Sequence, residues 1–101
     1  MDNLRHLMAA YFHQDWWEEY DGSWKAAVED FARRAPERVP GLVEEISAFL
    51  TALPTDEDVA RRLDEMGNYR SPGDSPTAHV DWLNDILLLL ASGRQNAQRL
   101  G

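Results

Sequence analysis

The chain has 101 residues, enough for one domain. Eighteen acidic residues against ten basic ones leave a net charge of −8, the wrong sign for neutralising nucleic-acid phosphates or docking on an anionic membrane surface, so neither is the expected partner. There is no cysteine, which excludes disulfides, thiolate metal sites and cysteine nucleophiles together.

A basic partner is attracted by such a charge, although acidity also serves plain solubility. The opening Met1-Asp2-Asn3-Leu4 lacks the basic and apolar regions of a signal peptide. The longest unbroken apolar run, Ile86 to Ala91, is far too short to span a bilayer. The expected location is therefore the cytoplasm.

Apolar spacing divides the chain into about five helices. The first runs from about Asn3 to Phe12, with Leu4, Leu7, Met8 and Tyr11 on one stripe. His13 to Gly22 follows, aromatic and acidic at once, ending in the turn signal Asp21-Gly22. Ser23 is placed to cap a second helix over Trp24 to Ala35, whose apolar face is Trp24, Ala27, Val28, Phe31 and Ala35. Pro36 ends it or opens the next piece.

The third helix starts at Pro36 or at Gly41 and reaches Leu53. Pro40 is tolerated only in a first turn or at a kink. Thr55-Asp56-Glu57-Asp58 reads as a cap followed by acids that complement the helix dipole, so a fourth helix runs to about Met66 and Gly67 closes it. Asn68 to Pro76 is a loop of turn formers. Thr77 is placed to cap a fifth helix, Ala78 to about Ser92, which is apolar around much of its circumference and is therefore central or covered by a partner. Gly93 is its expected stop, and residues 94–101 read as a frayed polar tail behind a domain of residues 1–93. No stretch alternates with period two, so the expected fold is all-α, a compact single-domain bundle.

Chemistry finds little support. His13-x-Asp15 is the one local pair that an acid–base or metal site would use, and it lacks a second cluster at helical spacing. Glu18-Glu19 and Glu44-Glu45 are adjacent carboxylates, which point in different directions on a helix and read as solvated faces. No catalytic, cofactor-binding or metal residue is assigned, and no cofactor is expected. The aromatic residues are more unusual: Trp16, Trp17, Tyr20 and Trp24 crowd one short stretch. Most of these suit a core, and Trp16 and Tyr20 share a side if the stretch is helical. One or two exposed would suit interface anchors, with Asp15, Glu18, Glu19 and Asp21 around them.

Tyr11-Phe12-His13-Gln14-Asp15-Trp16, after a Leu-rich helix, resembles the opening of immunity proteins of contact-dependent growth inhibition, the CdiI type. The likeness continues through Ala27-Val28-Glu29-Asp30-Phe31, Pro36-Glu37-Arg38-Val39, Leu63-Asp64-Glu65-Met66-Gly67, Tyr69, Pro72-Gly73-Asp74 and Trp82-Leu83, about Leu4 to Leu90 in all. Trp17 departs from it, standing where a smaller or polar residue is expected. The resemblance implies a non-enzymatic helical protein that binds and neutralises the C-terminal domain of a cognate toxin, expected to be a nuclease. Charge adds that this partner is basic.

The candidate interface is Asp15, Trp17, Glu18, Glu19 and Asp21, with Tyr69, Arg70 and Asp74 as a second patch. The chain is expected to be a monomer before it meets the toxin. The competing reading is a small helical adaptor or homo-oligomer that uses the apolar fifth helix, through Trp82, Leu87 and Leu90.

Overall fold

The computed structural model describes the backbone of residues 1–100 and the side chains of residues 1–92. The helices are α1 Asp2–Tyr11, α2 Trp16–Glu19, α3 Trp24–Arg34, α4 Val39–Ala52, α5 Asp56–Glu65 and α6 Ala78–Leu100, with a 3-10 turn at Pro36–Arg38 ahead of α4. The fold is all-α, with no strand among the described residues. The long helices are those that the apolar spacing predicts. The single turn α2 is an addition inside the aromatic–acidic stretch.

The apolar stripes meet in one core. Leu4, Leu7 and Met8 of α1, Val28 and Phe31 of α3, Leu42 and Ile46 of α4, Val59 and Leu63 of α5, and Leu83 and Ile86 of α6 are fully buried in it. α1 packs on α3 and α4, and α6 packs on α3, α4 and α5. The broad apolar circumference of α6 is thus explained by a central position. Trp82 and Leu90, two anchors of the homo-oligomer reading, are core residues. Pro40 falls in the first turn of α4, where its missing N–H costs nothing. α6 continues past Gly93, contrary to the expected stop. An interior glycine costs only about 1 kcal/mol relative to alanine. The expected polar tail at 94–101 falls on residues whose side chains lie outside those described.

Helix ends are closed partly as the sequence predicts and partly from afar. Ser23 accepts from the Ala26 N–H at 3.1 Å and Thr55 from the Asp58 N–H at 3.1 Å. α5 ends in a Schellman arrangement: the Gly67 N–H donates to the Asp64 carbonyl and the Asn68 N–H to the Leu63 carbonyl. Gly67 has φ +101° there, with its Cα side against the Ala9 backbone.

The start of α6 differs from expectation. Thr77 spends its hydroxyl on Asp81 at 2.8 Å, and the Val80 N–H is taken by Asp56, 2.8 Å away on α5. Asp56 also pairs with His79 at 2.9 Å. At α1 the same service comes from Glu45, which accepts from the Asn3 and Leu4 N–H groups at 2.9 and 3.1 Å. Glu45 is therefore not a solvated residue of a helix face. It is a tertiary cap that satisfies orphan donors and the α1 dipole together.

Candidate functional site

The stretch between α1 and α3 is built on buried aromatic side chains. Tyr11, Phe12 and Trp16 are all buried, with Phe12 packed 5.6 Å from Trp16 and edge-on to Trp82 at 4.9 Å between ring centres. Edge contacts of this kind suit the ring quadrupoles. His13 sets the turn into α2. Its Nδ1 accepts from the Asp15 N–H at 3.1 Å, its carbonyl accepts from the Trp16 N–H at 3.0 Å, and its Nε2 lies 3.2 Å from Glu19. A ring held at both nitrogens by its own loop serves as a brace. Among the described residues no group of three or more metal-ligating side chains comes together.

Trp17 points away from this framework and is 64% exposed. It is held there from below. Asp21 and Gly22 both have positive φ, 51° and 74°, so the chain turns back beneath the indole. The Gly22 N–H donates to the Trp17 carbonyl at 2.8 Å. A Cβ at Gly22 would sit 2.8 Å from Cζ2 of Trp17. Glycine is required twice, for its dihedral angle and for the close approach. Tyr20, at the end of α2, is half-buried and donates its hydroxyl to Asp30 at 2.8 Å, which ties α2 to α3. Arg33 and Arg34 bind the other Asp30 oxygen.

The second stretch is sewn onto the first. The Tyr69 N–H donates to the Phe12 carbonyl at 2.8 Å. Buried Asn68 clamps Arg70 from both sides, accepting from its N–H at 3.0 Å and donating to its carbonyl at 2.9 Å. The Tyr69 side chain is left 63% exposed. The Arg70 guanidinium is carried inward, 4.8 Å from the Trp82 ring and 6.0 Å from Trp16, within cation–π range of both. Burial lowers its pKa from the ordinary arginine value, yet a guanidinium stays charged at any physiological pH.

The structure thus joins the two segments that the sequence nominates separately. Asp15, Trp17, Glu18, Glu19, Asp21 and Tyr69 are exposed, and Arg70 is half-buried behind them. Asp74 is exposed on the loop but makes no hydrogen bond or ion pair to either segment among the described residues. Sequence reasoning passed over Asp81 and Asp85 and did not join Trp24 and Trp82 to Arg70, with which all four line one notch. The signals were there: Asp81 and Asp85 are four apart and share a helix face, and an indole N–H placed in a core needs an acceptor.

A family model described as CdiI immunity protein matches residues 1–90. The chain belongs to this family. No curated protein and no solved structure matches it. CdiI membership makes toxin-neutralising immunity the functional class and a cognate toxin the partner, in a family that is generally non-catalytic. No helix among the described residues is long and apolar enough to cross a membrane. The Tyr11-to-Trp16 run that resembles other CdiI proteins is framework here, since its large side chains fill the core. The exposed groups of this CdiI chain come just after it.

Proposed function

We propose that this CdiI-family chain binds the C-terminal toxin domain of its contact-dependent growth inhibition system through the face carried by α2 and the Tyr69–Arg70 segment. The observation that carries the proposal is the pair of exposed aromatic side chains, Trp17 and Tyr69, on two segments that hydrogen-bond and stack together. Such side chains bury large area with little rotamer entropy lost. Trp17 is already held by Gly22 and the Trp16 ring, so less ordering remains for binding.

The toxin in this proposal is a nuclease with a basic cleft. Asp15, Glu18, Glu19 and Asp21 stand exposed beside Trp17. They take the positions that phosphates would fill, and no cofactor takes part. The free chain is a monomer that acts in the cytoplasm, where such a toxin meets its substrate. An interface of standard size buries about 1,600 Å² in total, with a few anchors dominating. Steering by the net charge of −8 raises the association rate at low salt.

Association with the toxin domain encoded beside this chain tests the proposal. The on-rate is expected to fall steeply as salt rises, and the double change Glu18→Lys, Glu19→Lys to slow it by about tenfold at low salt. An on-rate indifferent to ionic strength contradicts the steering. Full protection with both charges reversed removes α2 from the contact face.

A further inference from the structure

At Arg70 lies a notch of about 160 Å³ walled by Trp24, Pro72 and Trp82, with Asp81 and Asp85 also lining it. Pockets for drug-sized ligands run to about 300–1,000 Å³, so this one suits the head group of a single side chain. Among the described residues two donors of these side chains find no partner: the indole N–H of Trp82, a residue only 2% exposed, and one Nη of Arg70. A buried donor left unpaired costs free energy, and more so when it is charged. In a chain with so many carboxylates, Arg70 makes no ion pair among the described residues. Burial lowers its pKa.

Both orphan donors belong to side chains that line one notch, and together they match the two oxygens of a carboxylate. We infer that the notch receives an acidic side chain of the toxin, whose carboxylate is held by Arg70 and Trp82 while basic neighbours of that side chain pair with Asp81 and Asp85. This deepens the toxin-binding reading above and rests on it. Asp81 and Asp85 are exposed, and they oppose a free anion. They favour a carboxylate carried on a positively charged surface, which is the surface an acidic immunity protein attracts. The Arg70 guanidinium already lies 4.8 Å from the Trp82 ring and its backbone is clamped by Asn68, so less ordering remains when the partner arrives. The toxin face is thereby read by one cation inside an acidic protein, which gives specificity that bulk charge does not.

The test is a set of affinities for the toxin domain, with thermal unfolding measured alongside. Arg70→Met is expected to weaken binding by about thirtyfold or more, with an unfolding temperature equal to or above that of the unchanged chain, because a partly buried, unpaired charge is removed. Arg70→Lys keeps the charge but not the fork and is expected to lose about tenfold. Asp and Glu residues on the toxin surface, changed singly to Asn and Gln, are expected to include one whose effect vanishes in the Arg70→Met background, the mark of direct coupling. If the unchanged chain binds and both Arg70 variants stay within twofold of it, the notch is not a contact and the inference is overturned while toxin binding stands. The same holds if no toxin carboxylate couples to Arg70, or if Arg70→Met unfolds and Arg70→Lys binds normally, which marks a structural stacking role. If the unchanged chain does not bind the toxin at all, the wider reading falls with it.

Discussion

Asp30 and Arg70 are charges drawn partly out of water, and their surroundings are opposite. Arg70 makes no ion pair among the described residues, whereas Asp30 is held by Tyr20, Arg33 and Arg34. Burial pushes the Asp30 carboxyl up, but the hydrogen bonds from those three side chains together hold it below its ordinary value of 3.8. A depressed folded-state value adds stability that is fully present above about pH 4 and is lost as pH falls through the folded value. Thermal unfolding followed from neutral pH to about pH 3 is therefore expected to fall more steeply for the unchanged chain than for Asp30→Asn. Parallel curves contradict this account of Asp30. The same carboxylate, with burial as the first cause, keeps the Tyr20 hydroxyl protonated well beyond the usual phenol range. Tyr20 thus remains a donor at any pH the protein meets.

At the scale of elements, α2 is a single turn that depends on its flanks. It is a four-residue helix, far too short to persist alone. The His13 brace, the Tyr20–Asp30 bond and the left-handed pair Asp21–Gly22 hold it. Gly22→Ala is expected to lower stability by about 1–2 kcal/mol through the dihedral angle alone, and by more through the clash with Trp17. Chemical denaturation measures the loss, and toxin affinity measured on the folded fraction is expected to drop as Trp17 is displaced. Unchanged stability removes Gly22 from the support of Trp17.

The outcome of reading the sequence follows the range of the forces involved. Ser23, Thr55 and Gly67 were legible because their partners lie within a few residues. Glu45 and Asp56 were not, because they cap helices 41 to 42 and 24 residues away in sequence. Trp17 and Tyr69 were nominated for type and neighbourhood. That the Tyr69 N–H and the Phe12 carbonyl draw their segments together required the fold.

At the scale of the whole molecule, a centrally placed α6 and a net charge of −8 describe an acidic body with a local basic exception. The charge is an approach device: it raises the rate of encounter and is screened beyond about 10 Å at 0.1 M salt. The aromatic side chains and Arg70 act only at contact. On-rate and off-rate are therefore expected to separate by residue, with reversal at Glu18 and Glu19 acting on the first and changes at Arg70 on the second. Both rest on the claim that the chain neutralises its toxin by binding it. The most direct measurement is the activity of the purified toxin domain titrated with the purified chain at concentrations well above their dissociation constant. The expected result is activity that falls in proportion to the added chain and is fully suppressed at a fixed stoichiometry. Toxin that remains fully active in a large excess of folded chain contradicts the account.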